Sequence, residues 1–189
     1  MPEDLLHTRW VEFCNRKELD PSMLDNYRLS LPDELAAHTA WAYKNIYSQR
    51  YTKHGSRYYS SRTHHGIQHV VRVAINVIVF ANLYRRYDDQ RALALTEDEL
   101  KLNALAGLFH DSGREGYGVD YWDSGLFLYF YLRLGLKLPH EKAVQYAEGI
   151  TNKDTAADKP YYYLGEDLKW TEGSSRARSI SQDLVGNGD

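Results

Sequence analysis

The segment from Val70 to Phe80 constrains the fold of this chain most strongly. Its β-branched residues are so dense that conformational preference alone favours a strand. Polar residues, however, recur through this region at steps of four, three and four positions, namely His65, His69, Arg72 and Asn76. This spacing lines all four along one stripe of an α-helix, whereas a strand would place His69 and Arg72 on opposite faces. The segment is therefore predicted to be a helix whose other faces are buried.

Start and stop signals divide the rest of the chain into helix-sized segments. Thr96 and Glu99 have the Thr-x-x-Glu spacing of a capping box, ahead of a leucine- and alanine-rich run that ends at His110. Proline near the start and glycine after the end mark several other segments. The predicted helices cover roughly residues 3–18, 32–47, 70–80, 100–109 and 122–134, with another from residue 139. The predicted fold class is all-α, a single helical bundle.

The length of 189 residues suits one well-packed domain. Residues 1–50 are expected to form N-terminal helices, and the polar, glycine-containing segment 156–189 is expected to be irregular. With 23 basic and 26 acidic residues interspersed, the net charge of -3 provides no basic surface for duplex nucleic acid. The longest apolar stretch, Val70 to Tyr84, is interrupted by polar residues and is shorter than the ~20 residues of a membrane span. No membrane span is therefore expected.

Two features carry the chemistry: the His64 to His69 segment at the start of one helix, and the His110–Asp111 pair at the end of another. Imidazole and carboxylate groups are costly to bury unless they are paired, hydrogen-bonded or metal-bound. Neighbouring helices would bring both features into one pocket. Taken singly, each is also compatible with a hydrogen-bonded core residue that has no catalytic role.

These residues resemble the HD-domain superfamily of helical phosphohydrolases, in which His69, His110 and Asp111 match the first three positions of the metal-binding pattern. A closer resemblance covers residues 60–155 and relates them to the phosphodiesterase domain of SidE-type ubiquitin-modifying bacterial effectors. It includes the runs Ser61–Val70, Phe109–Glu115, Tyr121–Ser124 and Asn152–Asp154. The resemblance implies an HD-like bundle with residues 60–155 as its catalytic core.

The SidE resemblance also implies a reaction. That family cleaves the pyrophosphate of ADP-ribosylated ubiquitin and attaches the phosphoribosyl product to serine or releases it by hydrolysis, without a metal cofactor. By motif, His65 is the implied nucleophile, Glu115 orients it and His69 supports it. Arg62 and Arg114 are candidate phosphate-binding residues, because guanidinium pairs with phosphate oxygens in a bidentate fork. The implied location is the cytoplasm, or a host cell reached by secretion without a classical signal peptide.

The sequence departs from this family in one respect. The family uses a second catalytic histidine in its C-terminal part, but no histidine follows His140 here. Truncation and divergence both explain this difference.

Two alternatives stay open at this stage. One is a nucleotide phosphohydrolase that binds a divalent metal ion through His69, His110, Asp111 and Asp154, since such an ion needs about four nitrogen or oxygen ligands. The other is a catalytically degenerate helical module that binds nucleotide or ubiquitin. The absence of a late histidine is the feature that supports this last hypothesis.

Overall fold

The predicted all-α class is confirmed by a computed structural model, which describes residues 2–48, 51–52, 59–60, 66–113 and 121–189. Short π-helical turns continue two of the helices, over Tyr43–Tyr47 and Tyr131–Gly135, and a 3-10 turn spans Pro21–Leu24. The helices in the described residues are α1 (Glu3–Arg16), α2 (Leu35–Ala42), α3 (Ile67–Arg86), α4 (Gln90–Leu93), α5 (Glu97–Phe109), α6 (Tyr121–Phe130), α7 (His140–Thr151) and α8 (Ile180–Gly188).

Helix α3 confirms the helix that the polar stripe predicted, but the expectation that its other faces are buried is wrong. It packs against α5 and α8, and it buries Val70, Val73 and Val77. Its outer side leaves Ile75 and Val79 about half exposed. Helix α3 is long and apolar enough to cross a membrane, so its length and composition do not confirm the prediction of no membrane span. The core helix of a soluble protein can have the same length and composition.

Helix α1 closes one side of the bundle through an aromatic cluster with α6. Trp10 and Phe13 pack against Phe127 and Phe130, with ring centroids 5.3 to 5.8 Å apart. All four side chains are buried. Such aromatic pairs contribute roughly 0.5–1.5 kcal/mol beyond the burial of their area. This packing holds the second half of α6 against α1.

The prediction that residues 156–189 are irregular is wrong. Strands β3 (Tyr161–Leu164) and β4 (Trp170–Gly173) form an antiparallel hairpin, and α8 follows it. The buried Glu148 carboxylate of α7 holds the hairpin by accepting a hydrogen bond from the Leu164 amide at 3.1 Å. Helix α8 begins with a capping box between Ser179 and Gln182, a Ser-x-x-Gln signal that was present in the sequence.

A second pair of short strands precedes α3 in the sequence. Strand β1 (Tyr51–Thr52) pairs with β2 (Tyr59–Ser60) in antiparallel register.

Candidate active site

Two imidazoles from different helices meet at the centre of the candidate site. His69 lies in the first turn of α3, His110 directly follows α5, and their Nε2 atoms are 3.1 Å apart. The close approach of the two helices depends on Gly107, where an added Cβ would lie 3.1 Å from the Cα atom of Ala74. The absence of a side chain at this position thus allows the two rings to touch.

The orientation of His110 is fixed by the backbone. Its Nδ1 donates a hydrogen bond to the carbonyl oxygen of Gly107 at 2.6 Å. Because a carbonyl can only accept, this bond places a proton on Nδ1 and directs Nε2 towards His69. His110 is fully buried, whereas the His69 side chain keeps 12% of its surface exposed. His69 is therefore the imidazole of this pair that faces the outside of the cluster.

Two carboxylates complete the cluster. Asp111 Oδ2 lies 3.4 Å from Nε2 of both histidines. Asp189 Oδ1 lies 3.0 Å from His69 Nε2 and 3.4 Å from His110 Nε2. Asp189 directly follows α8, and the end of this helix is fixed to α3 because Asn76 donates a hydrogen bond to the carbonyl of Gly188 at 3.0 Å.

A buried ammonium group lies behind Asp189. Lys153 is 3% exposed, and its Nζ is 2.5 Å from Asp189 Oδ2 and 3.0 Å from Asp154 Oδ2. The same ammonium lies 4.9 Å from the centroid of the Tyr121 ring. The start of α6 and the end of α7 thus border the cluster as well.

The charges in this cluster shift one another's pKa values. Burial alone would lower the pKa of His110, but Asp111 and Asp189 outweigh it and raise that pKa to about 9. The hydrogen bond from His110, together with that from Lys153, holds the pKa of Asp189 well below its usual range. Burial opposes the charge of Lys153, yet Asp189 raises the pKa of its ammonium. The opposite charges of His110, Lys153 and Asp189 thus stabilise one another.

Comparison with known families decides the class of this site. The family described as the SidE phosphodiesterase (PDE) domain matches residues 32–185, which is most of the chain. The chain belongs to this family. The SidE phosphodiesterase assignment confirms the resemblance drawn from the sequence motifs and makes the protein a phosphodiesterase. No curated protein and no solved structure gave a significant match.

The predicted residues of this SidE phosphodiesterase domain divide into three groups. His69, His110 and Asp111 come together as the sequence predicted. Asp154 lies beside the cluster, where its half-exposed carboxylate pairs with Lys153 and lies outside the group of potential metal ligands. Four further candidates, His65, Glu115, Arg62 and Arg114, lie outside the described residues.

Sequence reasoning missed two members of the cluster, Asp189 and Lys153. Asp189 was not predicted because the C-terminal segment was expected to be irregular, although its Ser-x-x-Gln capping signal indicates a helix. Lys153 lies within the Asn152–Asp154 run that resembles the family, but nothing in its local sequence shows that its side chain is buried.

Proposed function

We propose that this SidE phosphodiesterase cleaves the pyrophosphate bond of an ADP-ribosyl group attached to a protein such as ubiquitin. The family match over residues 32–185 carries this proposal. This range contains His65, His69, His110 and Glu115, the residues that the motif resemblance picked out. The structure supports it through the direct contact of His69 with His110. In sequence, His65 directly precedes Gly66, the residue before α3, and Glu115 is the second residue after Gly113.

The proposed reaction has two steps, and the first transfers the phosphoribosyl group to His65. A ring nitrogen of neutral His65 attacks the phosphorus on the ribose side, and a P–N bond forms as the bond to the bridging oxygen breaks. AMP leaves with that oxygen. It needs no proton at neutral pH, since the second pKa of a phosphate monoester is about 6. Glu115 accepts a hydrogen bond from the other ring nitrogen and orients the nucleophile.

In the second step, an oxygen nucleophile releases the product. The oxygen of water, or of a serine hydroxyl, replaces the nitrogen on phosphorus and gives up one proton, for which Glu115 is the proposed acceptor. Hydrolysis yields phosphoribosyl-ubiquitin, and serine attack yields a phosphoribosyl-linked conjugate. Arg62 and Arg114 are the proposed partners of the phosphate oxygens, whose charge grows during the transfer.

The proposed mechanism uses no metal cofactor, as the SidE resemblance implies. Side chains of this chain already stand beside the two carboxylates, because Lys153 Nζ lies 2.5 Å from Asp189 and His110 Nε2 lies 3.4 Å from Asp111 and from Asp189. In this mechanism His69, the partly exposed imidazole, supports the nucleophile from the neighbouring helical turn.

One observation favours the alternative of a divalent metal ion. The Nε2 atoms of His69 and His110 lie 3.1 Å apart. Each of them lies 3.0–3.4 Å from Asp111 Oδ2 and from Asp189 Oδ1. Donor atoms bound to one ion at about 2.1 Å lie about 3.0 Å apart in octahedral and about 3.4 Å apart in tetrahedral geometry. His69, His110 and Asp189 therefore offer three ligand atoms to one ion, with Asp189 in the position that the sequence suggested for Asp154. A bound ion would polarise the phosphoryl group and activate water.

Metal analysis distinguishes the two mechanisms. We expect the purified protein to contain much less than one divalent ion per chain, and we expect dialysis against EDTA to leave its activity within twofold, because the cluster carries its own cations. The measurements are inductively coupled plasma mass spectrometry and a rate assay before and after dialysis. One firmly bound ion per chain, with activity lost on chelation and restored by that ion, would establish the alternative.

The substrate is tested by incubating the protein with ADP-ribosylated ubiquitin and, separately, with a panel of nucleotides. We expect the modified ubiquitin to lose the mass of AMP less one water molecule, and free AMP to appear, while the nucleotides remain intact. Intact-protein mass spectrometry and liquid chromatography measure these products, with boiled protein as the control. Turnover of nucleotides alone would support the phosphohydrolase alternative, and the absence of product from either class would support a binding module.

A further inference from the structure

The four residues after α7, numbers 152–155, form a turn that we call the α7 turn. The amide of Thr155 closes it by donating a hydrogen bond to the carbonyl oxygen of Asn152 at 2.9 Å. The turn carries Lys153, whose ammonium lies 2.5 Å from Asp189 in the cluster. Asn152 and Lys153 are buried, and buried carbonyl oxygens at the end of a helix need partners from elsewhere in the protein.

Arg178, just before α8, donates to the α7 turn. Its guanidinium donates hydrogen bonds to the carbonyl oxygen of Lys153 at 2.9 Å and to that of Thr155 at 2.7 Å. The same group bonds Asp183, in the first turn of α8, at 2.6 Å and the carbonyl of Gln182 at 3.2 Å. A guanidinium presents its donors in a fixed planar fork, so one side chain can bond several groups at once. Arg178 thus joins the α7 turn to the start of α8.

Helix α8 also touches the α7 turn directly. An added Cβ at Gly186 would lie 2.7 Å from the carbonyl oxygen of Lys153, closer than side-chain carbon atoms come to backbone atoms. The side chain of Gln182 donates a hydrogen bond to the carbonyl of Asn152 at 3.0 Å. The backbone of Lys153 is therefore held against the helix that Asp189 directly follows.

We infer that Arg178 is a positioning residue, which acts through Lys153 to place the Asp189 carboxylate in the cluster. The inference rests on the proposed function, because it takes the cluster of His69 and His110 as part of the catalytic site. Arg178 fixes the carbonyl of Lys153, and the ammonium of Lys153 binds Asp189 Oδ2 at 2.5 Å. Asp189 Oδ1 in turn lies 3.0 Å from His69 Nε2. Because Lys153 is packed on all sides, a shift of its backbone carries its ammonium along.

Two variants that each remove a guanidinium test this inference. Arg178→Met loses the bonds to the α7 turn. Arg91→Met is its matched control, because the guanidinium of Arg91 also bonds Asp183, at 2.8 Å, and donates to the carbonyl of Arg178 at 3.2 Å. We expect Arg178→Met to lower kcat for ADP-ribosylated ubiquitin by about 10-fold with KM within about twofold, since a misplaced group costs rate rather than binding. Arg91→Met is expected to stay within about twofold in both constants, because the α7 turn keeps its bonds.

A double-mutant cycle with Asp189→Asn separates positioning from a general loss of stability. If Arg178 acts through Asp189, the double variant Arg178→Met/Asp189→Asn is no slower than Asp189→Asn alone. Losses that multiply, an unchanged kcat in folded Arg178→Met, or full activity of Asp189→Asn would each overturn the inference and leave the proposed function standing. An unaltered chain that does not cleave ADP-ribosylated ubiquitin would defeat the proposed function, and the inference with it.

Hydrogen exchange provides a readout independent of activity. The amide of Thr155 closes the α7 turn, and the amide of Asp189 donates to the carbonyl of Val185 at 3.1 Å. We expect both amides to exchange at least about threefold faster in Arg178→Met than in Arg91→Met, as measured by nuclear magnetic resonance. Equal rates in the two variants would overturn the inference.

Gly186→Ala replaces Arg178→Met in these experiments if the latter does not fold. Alanine favours a helix more than glycine does, but its Cβ would displace the Lys153 carbonyl that Arg178 binds. We expect Gly186→Ala to lower kcat by about 10-fold as well. An unchanged kcat in this variant would overturn the inference.

Discussion

Replacing His65 with alanine is expected to abolish turnover of ADP-ribosylated ubiquitin, with a loss in kcat of at least about 1,000-fold, because no P–N bond can form without the nucleophile. The helical fold should be unaffected, since His65 precedes Ile67, the first residue of α3, in the sequence. The measurements are single-turnover release of AMP and circular dichroism. A further check is trapping of the phosphoribosyl group, which is expected on the unaltered chain and not on His65→Ala.

His64 offers a matched control for this experiment. It is the preceding residue and has the same side chain, but it falls outside the helical stripe shared by His65 and His69. We expect His64→Ala to retain activity within twofold. If His64→Ala and His65→Ala lose activity equally, the nucleophile assignment fails. If His65→Ala remains fully active, the histidine mechanism fails altogether.

Replacing Asp189 with asparagine is expected to lower kcat by about 100-fold, the size of loss that a misplacement of about 1 Å can cause. The Asp189 carboxylate lies 3.0 Å from His69 and 2.5 Å from the buried ammonium of Lys153. The neutral amide of asparagine would not balance the charge of Lys153. Its NH2 group would also face either Lys153 or His69, each of which now lies beside a carboxylate oxygen. Removal of this carboxylate also removes one of the two that raise the pKa of His110.

Asp154→Asn is the control for this prediction. The Asp154 carboxylate contacts the same Lys153 ammonium, at 3.0 Å, but its side chain is 53% exposed. We expect Asp154→Asn to keep kcat within twofold, because the contacts with the imidazoles are unchanged. Steady-state rates and thermal unfolding of both variants make the comparison. Equal losses in the two variants would show that Lys153, rather than the imidazole cluster, is the sensitive group.

The two expectations concern different links between sequence and function. His65 was identified from its place in a short motif, whereas Asp189 was identified only from its contacts. Their relative effects therefore measure how much of the chemistry lies in the motif itself and how much depends on the packing around it.

The sequence by itself determined most of the helices and three of the five members of the cluster. The three- and four-residue steps from His65 to Asn76 fix a helix because its side chains repeat every 3.6 residues, and the Thr96–Glu99 capping box fixes the start of another. These signals depend only on neighbours in the chain. They were sufficient to predict that His69, at the start of one helix, meets His110 and Asp111 at the end of another.

The tertiary structure alone decided which other groups join them. Asp189 reaches the imidazoles because α8 packs on α3, and Lys153 reaches Asp189 because α7 packs against α8. These contacts join residues far apart in the chain, so no local period or capping signal encodes them. They arise from the burial of apolar helix faces, which fixes where the helix ends lie and therefore which charged groups meet there.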